Sequence, residues 1–300
     1  MGPEEVNSLG PYDLFLGSFT KAFRVTEVYR LVSASRKIWL IAPEYQFEPT
    51  DLPQEESFIS SAISESEYIT TLISSLPPDL SSLRLCIDIT GLPRPQLLFL
   101  IVALKMKGLR SFDCLYSEPE HYSNAHRTIF SMPSTTENRA VQGYEGNHLL
   151  PDKKDILIIG VGFDHDLIAR IADTKPESDK YYIFGLPSLR PDMYQQSLLR
   201  ASEVKTQAED YKRRHFAPAN DPFVTANVLN ELLADKLLNR NIYLSPLGTK
   251  PQALGFALFY LFECQEKPVS ILFPFSERYS QESSTGIARV WRYTVEFPGQ

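Results

Sequence analysis

The chain has 300 residues, enough for two domains of ordinary size, each with a core of its own. With 43% apolar and 22% charged residues it has the composition of a globular protein, not of a disordered chain or a membrane bundle. A formal charge of −7 argues against a surface devoted to duplex nucleic acid or anionic lipid, while leaving room for a small basic pocket.

Cys86, Cys114 and Cys264 are scattered, with no C-x-x-C pair, and read as buried thiols in a reducing compartment. The first ten residues lack the basic-then-apolar layout of a secretion signal. The longest apolar run, 97–104, is too short to span a bilayer. A cytoplasmic protein without membrane contact is expected.

In chain order, 19–35 has helical spacing through Phe23, Val28, Leu31 and Val32. The run 37–42 reads as a strand, 44–56 as an acidic loop, and 58–75 as an amphipathic helix stopped by Pro77-Pro78. A strand over 83–89, an apolar helix and a strand over 111–116 follow, and the polar stretch 122–150 reads as a linker or long loop. Beyond it, strands are expected at 155–160, 181–184, 215–217, 241–244 and 269–273. Helices around 167–172, 193–201 and 224–238, and an apolar one after 250, lie between them. The alternating segment 288–297 reads as an added strand or edge hairpin. Short apolar strands alternating with helices indicate an α/β fold built of βαβ units. The strands are continuous apolar runs, as parallel strands covered on both faces require. Two tandem Rossmann-like domains are expected, 1–150 and 151–300, each a mainly parallel sheet flanked by helices, the first a divergent copy.

The tandem reading rests on an internal repeat. A constant offset of 156 lays residues 87–116 on 243–272. The shared pattern is a short strand, a Gly-containing loop, a basic-Pro-Gln triplet (Arg94-Pro95-Gln96, Lys250-Pro251-Gln252), an apolar helix and a second strand. So long a period means duplicated domains, not a solenoid.

In open α/β sheets ligands bind beyond the carboxyl ends of the strands, which selects the loops there. Ser245-Pro-Leu-Gly248-Thr249-Lys250 is the strongest candidate. Gly248 allows close backbone approach, Thr249 offers a hydroxyl, Lys250 a charge, and the next helix begins there with free amides. Thr90-Gly91-Leu-Pro-Arg94 repeats the recipe, with Asp88 just before it. Gly160-Val-Gly162 resembles the start of a dinucleotide loop without its third glycine, and also suits a close strand–helix turn capped by Asp164 or Asp166. Asn220, before Asp221-Pro222, reads equally as a sugar-hydroxyl ligand or as part of an Asx turn and helix cap. The only acid/base candidates are Glu118, His121 and His165. No metal spacing, Walker loop or G-x-S-x-G elbow occurs, so no metal or cofactor is expected beyond a nucleotide ligand.

The stretch 243–255, a strand, the Gly248-Thr249-Lys250 loop and a small-residue helix, resembles the signature of CRISPR-associated Rossmann-fold (CARF) sensor domains. Asp88-Ile89-Thr90-Gly91 is similar to the other half of that signature, and Leu247 stands where the family pattern has a glycine. Members bind cyclic oligonucleotide second messengers, usually across a two-fold dimer, and signal to an effector. The related SAVED domains fuse two such units in one chain. The resemblance implies a sensor or accessory subunit of prokaryotic anti-phage defence. It would bind a nucleotide-type anion in a groove between the halves, act on a separate effector or larger complex, and leave homo-oligomerisation open. Two other readings stand beside it. One is an enzyme hydrolysing a nucleotide or cyclic oligonucleotide. The other is a non-catalytic interaction subunit, with Tyr45, Phe47, Tyr122, Tyr144, Phe275, Tyr279 and Trp291 as interface anchors. A non-enzymatic role is expected ahead of catalysis.

Overall fold

A computed structural model describes residues 1–62, 64–122, 137–150, 153–190, 193–203, 210–276, 278–279 and 284–298, apart from the side chains of 122, 165 and 200–203, so Tyr122 as an interface anchor lies outside the described residues. The chain divides into two compact units, Met1–Met132 with Glu277–Gln300, and Pro133–Ser276. The boundary therefore differs from a single cut at residue 150, because the C-terminal segment belongs with the first unit.

Unit 1 runs β1 (Tyr12–Ser18), α1 (Phe23–Leu31), β2 (Ala34–Ile41), β3 (Ser57–Ile59), α2 (Glu65–Ser75), β4 (Leu85–Asp88), α3 (Arg94–Met106) and β5 (Ser111–Glu118). The two-residue strand β6 (His121–Tyr122) completes it before the second unit. Unit 2 runs β7 (Asn138–Ala140), β8 (Ile156–Gly160), α4 (His165–Thr174), β9 (Asp179–Gly185), α5 (Met193–Glu203), β10 (Arg214–Ala217), α6 (Pro222–Leu233), β11 (Ile242–Pro246), α7 (Lys250–Phe259) and β12 (Val269–Pro274). The chain ends with β13 (Ser284–Thr285), paired with β6, and β14 (Arg289–Glu296).

Both large sheets have six strands, and their five parallel strands share one topology. The first is ordered β3-β2-β1-β4-β5-β14, the second β10-β9-β8-β11-β12-β7. In each, five parallel strands lie in the Rossmann order 3-2-1-4-5. In each, an antiparallel strand is added beside the fifth. For unit 1 that strand is β14, with Arg289 opposite Glu118 and Glu296 opposite Ser111. For unit 2 it is β7, from the segment read in sequence as linker.

The repeat falls at equivalent places. β4, α3 and β5 are the fourth strand, its helix and the fifth strand of the first sheet, and β11, α7 and β12 are their counterparts in the second. Arg94 and Lys250 each open their helix, followed by a proline in the first turn where no amide partner is needed. Both helices are buried on nearly every side, which is why neither sequence shows a polar stripe. In α7, Gly255 lies against the Pro222 carbonyl and the Thr225 side chain of α6, so the two helices cross in close contact.

Four readings are corrected. The helix expected over 19–35 is shorter, because the strand β2 already begins at Ala34. The strand β1 was not foreseen, although 14–16 is Leu-Phe-Leu and nearly every residue of it is buried. The helix expected over 58–75 begins only at Glu65, and its first two residues belong to β3 at the edge of the first sheet. Tyr45 and Tyr144 are buried within their own units rather than exposed as interface anchors. The three cysteines are free and buried.

Candidate functional site

The order 3-2-1-4-5 places a topological switch between the first and fourth strands of each sheet, where loops leave in opposite directions and a crevice can open. In unit 1 the switch lies between β1 and β4, and in unit 2 between β8 and β11.

At the unit 1 switch, Asp88 is buried at the end of β4 and its Oδ1 accepts from the Thr90 amide at 2.9 Å and from the Thr90 hydroxyl. The same hydroxyl accepts from the Ser117 amide at 2.9 Å, tying the ends of β4 and β5 together. Gly91 presses on the backbone of Ser18, the last residue of β1, leaving no room for a side-chain carbon. Its carbonyl accepts from the Tyr45 hydroxyl at 2.6 Å. Glu44 accepts from the buried Gln96 amide of α3, and its own carbonyl accepts from the Tyr279 amide at 3.0 Å. Arg24 of α1 donates to the Ser117 carbonyl and, at 2.9 Å, to the Ser284 hydroxyl. Burial and then Glu44 push the Tyr45 phenol well above its ordinary value, and Arg24 and Arg94 pull it the other way. Six chain segments thus converge at this switch point. Thr90 and Gly91 lie here, and Arg94 opens α3 next to them. The sequence reading missed Ser18 and Arg24, and it placed Gln96 and Ser117 on loops at this sheet end without giving either a role.

The unit 2 switch is built differently. Leu247 donates its amide to Gly160 O at 3.1 Å, and Gly162 lies directly against the Leu247 carbonyl. Thr249 caps α7: its hydroxyl accepts from Gln252 N at 3.3 Å and donates to the Ala219 carbonyl. Gln252 returns the bond to Thr249 N at 3.3 Å and reaches Ala217 O at 3.4 Å. Gly248 lies against the same Gln252 amide group. Asp221 caps α6 through Phe223 N (2.9 Å) and Val224 N (3.0 Å), and Asp164 caps α4 through Leu167 N. Gly160, Gly162, Ser245, Gly248, Thr249 and Lys250 therefore share one sheet end. Asn220 joins them on the loop after β10. Ser245 is fully buried, and its hydroxyl has no hydrogen-bond partner among the described residues.

Of the acid/base candidates, Glu118 ends β5 and accepts from the Trp291 indole at 3.0 Å. His121 is an exposed residue of β6, opposite Thr285. His165 opens α4, and its side chain lies outside the described residues. Among the described residues no three His, Cys, Asp or Glu side chains form a metal-sized cluster, and no helix is long and apolar enough to cross a membrane.

Fold and site together define the class: a tandem Rossmann-like α/β protein whose loops cross closely at each switch point. No protein-family model matches the chain, and no curated protein matches it.

Proposed function

We propose that this chain is a nucleotide-binding sensor or accessory subunit of a prokaryotic defence system, acting on a separate effector. The observation that carries the reading is the equivalence of Arg94 and Lys250. Each is the first residue of the helix leaving the fourth strand, beside the switch point of a sheet with the same topology. A cation and helix amides facing a sheet crevice suit an anion, and charge-assisted bonds are roughly twice as strong as neutral ones. The likeness of the loops 88–91 and 245–250 to CARF and SAVED domains supports a nucleotide-type ligand and a signalling role.

The test has two stages. Denaturing the purified protein and examining the supernatant by ultraviolet spectrum and mass identifies any nucleotide carried through purification. The double variant Arg94→Ala/Lys250→Ala should then lose nucleotide binding while its thermal unfolding stays close to the parent's. Undiminished affinity in the double variant sinks the reading.

A further inference from the structure

We propose that Arg24 anchors a binding site for the phosphate group of a small ligand in unit 1. The inference deepens the nucleotide reading, but it starts from a separate observation. Arg24 is only 8% exposed, and both of its hydrogen-bond partners, the Ser117 carbonyl and the Ser284 hydroxyl, are neutral. Among the described residues no carboxylate lies within ion-pair distance of it. A buried guanidinium is normally paired, because taking a charge out of water without a counter-charge costs several kcal/mol.

The other strongly buried cation among the described residues, Lys180, makes the contrast. It too donates to carbonyls, those of Lys175 and Pro176, both at 2.8 Å. Burial lowers the pKa of Lys180, so that group has the option of shedding its proton. An arginine has no such option. Lys180 also sits near the start of β9, at the end of the sheet opposite the crevice, whereas Arg24 sits in the first turn of the helix that follows β1.

Two independent features mark the surroundings of Arg24 as a place for an anion. The Ser117 hydroxyl belongs to the residue whose carbonyl Arg24 holds. It is fully buried and has no hydrogen-bond partner among the described residues. The helices at this switch point, α1 and α3, begin at Ala22 and Pro93 with no side-chain cap. In unit 2 the corresponding helices α4 and α7, with α6, are all capped by their own side chains, Asp164, Thr249 and Asp221. Each nearby acid holds a neighbour through one oxygen, Asp88 to Thr90, Glu44 to Gln96 and Glu118 to Trp291, and among the described residues none forms an ion pair with Arg24. A phosphate oxygen pair meets the planar guanidinium fork, with the Ser117 hydroxyl as a further donor.

The experiment titrates inorganic phosphate and, separately, adenosine monophosphate into the full chain by calorimetry at constant ionic strength. Wild type is compared with Arg24→Met, Arg24→Lys and, as a control buried cation, Lys180→Met. Loss of a charged hydrogen-bond donor should weaken phosphate binding about tenfold or more in Arg24→Met. Arg24→Lys should weaken it less, and Lys180→Met should not change it. In phosphate-free buffer Arg24→Met should melt at or above the wild-type temperature, because an uncompensated charge has been removed. A fall beyond about 5 °C assigns Arg24 to cross-linking and overturns the proposal. So does phosphate affinity unchanged in Arg24→Met, or no phosphate binding by wild type. Adenosine monophosphate bound equally by wild type and Arg24→Met leaves the nucleotide reading standing without Arg24. Arg24-dependent phosphate binding that the nucleoside does nothing to improve leaves the site standing and removes the nucleotide.

Discussion

Gly162 lies so close to the carbonyl oxygen of Leu247 that a side-chain carbon on the glycine would overlap it. The same crossing exists in unit 1, where Gly91 meets the Ser18 carbonyl. Gly91 and Leu247 are equivalent by the repeat, so the two units place the glycine on opposite partners: the fourth-strand loop in unit 1, the first-strand loop in unit 2. What the fold requires is one residue without a side chain where the switch-point loops cross. The departure of Leu247 from the glycine pattern is thereby compensated by Gly162. Gly162→Ala should cost about 1–3 kcal/mol through overpacking, measured as a lower denaturant midpoint. Adding Leu247→Gly should not restore it, because the atom met is backbone.

Much of this arrangement was legible, and the reasons are local. The repeat at an offset of 156 located the fourth and fifth strands of both sheets, because buried parallel strands and all-round-buried helices leave uninterrupted apolar runs. β1 escaped because the helical period of 23–31 next to it extends by chance into 19–35, and a five-to-seven-residue run is ambiguous by periodicity alone. β7 is three residues long with exposed or half-buried side chains, so nothing in its composition sets it apart from a linker. Arg24 could not be found from sequence: on a helix of nine residues an arginine reads as a solvated surface group, and only tertiary contacts bury it. Gln96 and Gln252 did carry a signal. Both recur in the basic-Pro-Gln triplet, and both are buried as bridges between loops, to Glu44 and to Ala217.

Thr249 tests how far the unit 2 loop is architecture. Its hydroxyl caps α7 and satisfies the Ala219 carbonyl, linking the loops after β10 and β11. Thr249→Ala should destabilise by about 1–2 kcal/mol, the cost of a lost cap. Thr249→Ser keeps the oxygen and should recover most of it. Thermal melts of the two variants, with nucleotide affinity measured alongside, separate the capping role from any contact with ligand.

The pH dependence should carry the mark of His148. Its ring stacks on Tyr243 with centroids 4.3 Å apart, and Nε2 lies 2.8 Å from the Ser270 hydroxyl. Burial first, then the nearby Lys175, holds its pKa below the 6.5 of a free imidazole, with Asp155 opposing. The folded state therefore resists the proton that the unfolded chain accepts. Stability tied to His148 is complete above about pH 6.5 and declines as pH falls below the unfolded pKa toward the folded one. His148→Gln should flatten the fall in melting temperature between about pH 7 and 5, and an unchanged slope would remove His148 as its source.

The C-terminal strand makes the last prediction, because it decides which residues unit 1 needs. β14 pairs with β5 along its whole length, and Val290 and Val295 are fully buried there. Without β14, β5 would expose an unpaired edge on an otherwise apolar strand. Each Val→Ala change removes buried methyl groups and should cost about 2 kcal/mol. The loss should appear as faster amide exchange in β1, β4 and β5. Protection in β8, β9 and β11, which belong to the other unit, should be unaltered. If the second sheet loses protection to the same degree, the units unfold as one cooperative body and the assignment of 277–300 to unit 1 loses its energetic meaning.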